Sequence, residues 1–230
     1  MSGITDLLYH TTLAVHDKKG GLSSGHSRSV YVLGTHSTLA AAKAFAVTSL
    51  HGLGYEPGDF TEYAVHDGKT AWKYGDGVVV YAKAPAGQEF FVGIDTTPNQ
   101  QEFAAGPNGT ILLSAYPDDN DPTQHLHYVV QTEVDYDQER GSDFKAAEIE
   151  GCFLHRADAI DAAKVSLKNA GYEFARYDER PNLEPAADWP FGEEVLVHAV
   201  SQTGENYEVA VRTIPGTHKK HAKKNVKASA

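Results

Sequence analysis

The residues Trp72 to Pro98 lie on Trp189 to Pro215 without a gap, at a constant offset of 117, and nine of the 27 pairs in that register are identical. The identities include Trp72/Trp189, Gly75/Gly192, Gly87/Gly204 and Pro98/Pro215, set among shared valines. The chain has two tryptophans, and they are partners. A repeat on this scale means that one supersecondary unit has been used twice, so the fold must be one that a single pattern builds in both halves.

The match extends upstream once short length changes are allowed. Tyr63-Ala-Val-His-Asp67 lies on Phe174-Ala-Arg-Tyr-Asp178, and Gly54-Tyr-Glu56 on Gly171-Tyr-Glu173. Ser37-Thr-Leu-Ala-Ala-Ala-Lys43 lies on Asp158-Ala-Ile-Asp-Ala-Ala-Lys164, which places a helix N-cap at Ser37 and at Asp158. In this register the first helix is longer by four residues, about one turn. The first strands correspond loosely, Tyr9 to Asp17 with Tyr128 to Asp137.

Each copy reads strand, strand, helix, strand, strand, strand. Strands are expected near 8–16, 29–34, 61–67, 77–84 and 89–95 with a helix over 38–51, then near 127–136, 146–154, 173–179, 193–201 and 206–213 with a helix over 159–169. Leu39, Ala42, Ala46 and Leu50, like Ile160, Ala163, Leu167 and Ala170, form the stripe that packs on a sheet. Pro85-Ala-Gly87 and Gln202-Thr-Gly204 supply a glycine where a tight hairpin needs positive φ. Alternation sends Val78, Val80 and Ala82, with Val195, Val197 and Ala199, toward the helix. The expected fold is therefore α+β, a tandem duplication of a β-β-α-β-β-β module. It has mostly antiparallel sheets, one helix per module and a pseudo-twofold relation. The modules span 1–98 and 127–216. Residues 99–126 form a connector packed in part between them, and 217–230 a basic, disordered tail.

Composition bounds the function. Five lysines follow Thr217 with no acid among them, so the net charge of −11 divides into a small basic tail and a body with 15 basic and 31 acidic residues, or −16. Such a body repels phosphate backbones, which argues against nucleic acid as a partner. No apolar run approaches the roughly 20 residues that cross a bilayer, no leader peptide is evident, and the single cysteine, Cys152, excludes an internal disulfide. A cytoplasmic protein is expected, with nuclear import through the lysine tail as the variant.

Chemistry is sparsely signposted. There is no Gly-x-Ser-x-Gly, no phosphate-binding glycine loop, no His-Glu-x-x-His and no cofactor motif. His125 and His127 share a strand face but lack further ligands in recognisable spacing, so no metal site is assigned. The upstream alignment puts His66 on Tyr177 and the ungapped register puts Tyr81 on His198, so each copy carries one histidine and one tyrosine in swapped order. These four are the candidate acid-base residues, and His10, His16 and His36 the candidate ligand-lining residues. The leading expectation is a non-enzymatic protein, monomer or homodimer, whose paired modules bind a protein partner or a small ligand. The alternative is an isomerase, cyclase or hydrolase working on a small organic molecule in a cleft between modules.

Overall fold

The computed structural model describes residues 3–17, 27–113, 125–134, 147–171, 173–185 and 188–214. They fall into two compact units, the second being Leu126–Arg212, and the basic tail lies outside the described residues.

The first unit runs β1 (Leu7–Asp17), β2 (Ser27–His36), α1 (Leu39–Gly52), β3 (Glu62–Val65), β4 (Val78–Lys83) and β5 (Glu89–Pro98). Its antiparallel sheet has the order β2-β1-β5-β4-β3. The second runs β6 (His127–Val134), β7 (Ala147–Phe153), α2 (Arg156–Asn169), β8 (Phe174–Glu179), β9 (Val195–Ser201) and β10 (Asn206–Thr213), in the order β7-β6-β10-β9-β8. The two sheets are the same diagram drawn twice, as a duplicated α+β module requires.

The irregularities repeat along with the regular parts, which is the stronger sign of common origin. Thr11 faces Gly34 while Thr12 faces Val32, so Leu33 is an extra residue; Val129 faces Gly151 while Val130 faces Ile149, so Glu150 is the same extra residue. A second bulge leaves Val79 unmatched against β5 and Leu196 unmatched against β10. Bulges bend a strand locally and re-aim its side chains. Here they turn Val79 and Leu196 into the cores beneath the helices. At the first bulge the backbone passes close to a ring. A Cβ on Gly34 would stand 3.0 Å from Cε1 of Phe45, and one on Gly151 2.8 Å from Cε2 of Phe153. The hairpin glycines expected at Gly87 and Gly204 have φ of 97° and 98°, and Gly75 and Gly192 have 107° and 110°.

The structure corrects the upstream alignment. Both helices are 14 residues long, and no turn has been added to the first. Buried Ala42, Ala46 and Leu50 match buried Ala159, Ala163 and Leu167 at the same offset of 117 found in the tryptophan segment. Leu39 and Ala170 are exposed and Ile160 is only half-buried. Thr38, not Ser37, caps α1 by accepting from the Ala41 N–H, while α2 starts after His155 with Asp158 in its first turn. Length changes fall instead in the loops around β3 and β8. Tyr63 pairs with Ala82 as Tyr177 pairs with Ala199, so Tyr177 is the counterpart of Tyr63, and His66 that of Arg180. The same register makes His10 the counterpart of Tyr128, and both are fully buried.

The first half of the connector is tied to the first unit. Asn99 donates to the carbonyls of Thr5 and Phe103 at 2.9 and 3.0 Å and accepts from the Phe103 N–H at 2.9 Å, which seats Phe103 in the interior. Ser37 N–H donates to the Gly109 carbonyl at 2.8 Å. Thr110 bridges to His36 and Ile111 to Ala105.

Candidate functional site

Each unit builds an aromatic staircase on the sheet face away from its helix. In the first, His66 stacks on Trp72 at 4.8 Å, Trp72 meets Tyr74 edge-on at 4.8 Å, and Tyr74 lies flat on Tyr81 at 4.0 Å. In the second, Arg180 lies over Trp189 at 5.4 Å, Trp189 meets Phe191 edge-on at 5.0 Å, and Phe191 lies flat on His198 at 3.9 Å. Offset stacks and edge contacts are the favoured ring geometries, each adding a fraction to about 1.5 kcal/mol beyond area burial. The two tryptophans thus pin the loops that return from β3 and β8.

The staircase determines where the candidate acid-base residues stand. His66 and Tyr81 sit at its two ends, separated by Trp72 and Tyr74. Tyr81 donates to Glu89 at 3.1 Å, and burial together with the Glu89 charge raises its pKa. Tyr177 points to the helix side and donates to the Lys164 carbonyl at 3.1 Å. His198 leaves the opposite face, with Nδ1 3.7 Å from Asp178, and burial outweighs that carboxylate to lower its pKa. Tyr177 and His198 are therefore sheet neighbours facing apart.

The candidate lining histidines are held by packing. His10 has Nδ1 2.9 Å from the Thr35 hydroxyl and Nε2 2.8 Å from that of Thr97. Burial, reinforced by nearby His36, lowers its pKa to about 4, so the ring is neutral, with one nitrogen donating and the other accepting. His36 packs at a tilt against Phe45, ring centroids 5.0 Å apart, and His16 likewise against Phe91 at 4.6 Å. Burial pushes the Cys152 thiol up, which leaves it unreactive. Among the described residues no three His, Cys, Asp or Glu side chains converge on a metal-sized site.

A site that sequence reasoning missed opens on the helix side of the first unit. Helix α1, 14 residues long, spans about 21 Å, whereas an 11-residue strand such as β1 spans about 35 Å. The uncovered end of the sheet becomes a groove of about 590 Å³. Leu13 and Val15 of β1, Tyr31 and Leu33 of β2 and Phe90 of β5 form its floor, and Leu53, Tyr55 and Phe60 wall the end of α1. Tyr55, Phe60 and Phe90 form a ring cluster with centroids 5.5 to 5.7 Å apart. Tyr31 and Leu53 stay 38% and 44% exposed at the rim. The polar lining comprises Ser29, Asp59 and Gln88. Asp59 also accepts from the Glu56 N–H at 2.8 Å. None of the seven candidate residues lines this groove.

The same places in the second unit carry the opposite chemistry. By strand register, Leu13, Val15, Tyr31 and Leu33 correspond to Gln131, Glu133, Glu148 and Glu150. The ring cluster survives only in part, with Phe174 edge-on to Tyr207 at 6.2 Å where Phe60 meets Phe90.

No known protein family, curated protein or solved structure matches this chain. No described helix is long and apolar enough to cross a membrane.

Proposed function

We propose that the first unit is a small-molecule-binding module, and that its ligand is an apolar molecule with an aromatic ring, seated in the groove beyond α1. The observation that carries this reading is the divergence between copies. The second unit builds the same sheet, helix and bulges with Gln131, Glu133, Glu148 and Glu150 where the first has Leu13, Val15, Tyr31 and Leu33. The scaffold itself therefore does not demand apolar residues at those positions. An open apolar surface is unfavourable in water, and its retention in one copy only is accounted for by a ligand that covers it. The volume of about 590 Å³ falls within the usual range for small-ligand clefts. Rings on the floor and wall suit a flat apolar body, with Ser29, Gln88 and Asp59 available to orient one polar substituent. Binding, rather than turnover, fits a lining whose one carboxylate, Asp59, already accepts a backbone hydrogen bond.

The test is titration with 1-anilinonaphthalene-8-sulfonate, then with a panel of aromatic metabolites followed by thermal shift. A variant joining Tyr31→Glu, the residue the second unit uses, with Leu53→Glu places both charges at exposed rim positions and keeps the fold. Saturable one-to-one dye binding that weakens at least about tenfold in this variant is the expected result. Equal binding by the two proteins, or no saturable binding to the wild type, sinks the proposal.

A further inference from the structure

Arg180 holds a charge that no described carboxylate neutralises. It follows β8, the residue is 6% exposed, and its backbone N–H donates to the Leu196 carbonyl at 3.0 Å. The guanidinium donates to the carbonyls of Glu184 and Gly192, each at 3.4 Å, and of Glu193. Its Nε has no acceptor, and no described carboxylate comes within ion-pair distance. Glu193 attracts the charge from a distance, whereas Arg156 in the first turn of α2 repels it. Withdrawing an ionised group from water costs several kcal/mol, and carbonyl dipoles offset only part of that.

The fold does not require this charge. The counterpart His66 is exposed and stacks its ring on Trp72, where the Arg180 guanidinium carbon lies 5.4 Å from the Trp189 ring centre. The second unit also has three more residues between the stacking position and its tryptophan, nine steps from Arg180 to Trp189 against six from His66 to Trp72. Beside that longer loop lies a pocket of about 580 Å³ lined by Arg180, Leu183, Pro185, Trp189 and Pro190.

We propose that this pocket binds an organic monocarboxylate, its carboxylate on the edge of the Arg180 guanidinium and its apolar body against Leu183, Pro185 and Trp189. A guanidinium fork matches a carboxylate in geometry and charge. Glu193 also lines the pocket, and its negative charge selects a single negative charge over a phosphate or a dicarboxylate. The site stands in a different unit from the groove beyond α1, so neither proposal depends on the other.

Trp189 is the reporter. In full-length protein carrying Trp72→Phe, the emission of the remaining tryptophan is titrated with phenylacetate, its neutral isostere phenylacetamide, phthalate and inorganic phosphate. A saturable change with phenylacetate, at least about tenfold weaker for phenylacetamide and absent for phosphate, is expected. Arg180→Gln should abolish the response, and Arg180→Lys, which keeps the charge, should weaken it while circular dichroism stays native. Equal responses to phenylacetate and phenylacetamide, or none to either, overturn the proposal; this comparison needs no variant at position 180.

Discussion

His198 lies face to face with Phe191, ring centroids 3.9 Å apart and planes 5° from parallel, in the place where Tyr81 lies on Tyr74 at 4.0 Å and 11°. Different ring types preserve one geometry, so the contact, and not the chemistry of either ring, is what the two copies share. His198→Tyr should therefore keep the stack. Phe191→Ala should cost about 2 kcal/mol in urea unfolding by removing stacking and apolar contact. A larger loss from His198→Tyr than from Phe191→Ala would contradict this account.

The common helix register has its own test. Leu50→Ala and Leu167→Ala should each lower stability by about 2–5 kcal/mol, because both delete a side chain closed to solvent. Leu39→Ala, at an exposed position, should change it by less than about 0.5 kcal/mol. Denaturant midpoints at constant slope measure all three.

The bulge glycines should resist even one added methyl. Gly34→Ala meets the Phe45 ring and Gly151→Ala the Phe153 ring, and each should cost about 1–3 kcal/mol. Phe45→Leu in the first background and Phe153→Leu in the second should restore part of the loss, a coupling visible in a double-mutant cycle. Strict additivity would mean that the backbone yields and the rings do not matter.

Acid should weaken the first unit through His10. Its folded pKa of about 4 lies below the 6.5 of an exposed imidazole, so between those values the unfolded chain binds the extra proton. The contribution is complete above pH 6.5 and shrinks as pH falls, the loss amounting to about 3 kcal/mol once pH reaches 4. His10→Gln, which keeps a donor and an acceptor for Thr35 and Thr97, should flatten the melting temperature over that window. An unchanged pH profile in the variant would assign the acid sensitivity elsewhere.

Much of this fold was legible because tryptophan, turn glycines and a terminating proline are rare and positionally demanding. Trp72 and Trp189 do occupy matching surroundings, and strand positions followed from alternation. Alanine misled the reading. Ala-Ala-Lys occurs once in each helix at different turns, and only burial shows that Ala42 matches Ala159. The short turn Pro57–Asp59 in the first copy and the extra residues before Trp189 in the second then shifted β3 against β8, which created the apparent exchange of His66 with Tyr177. The groove was hidden for another reason. Alternation tells which face of Tyr31 and Leu33 is apolar, but not where a helix stops covering it.

The contrast in polarity between the matching strand positions of the two copies bears on how a doubled chain finds its correct partners. Strands of near-identical pattern invite exchange between copies, a known hazard of tandem repeats. Bulges at matching places offer no protection, since β1 against β7 would meet the same extra residue as β1 against β2. Side chains do discriminate: a swapped β1–β7 ladder would set Glu148 and Glu150 beside Leu13, Val15 and Phe90, where carboxylates lose water without gaining a counter-charge. Each hairpin thus carries a mark of which half it belongs to.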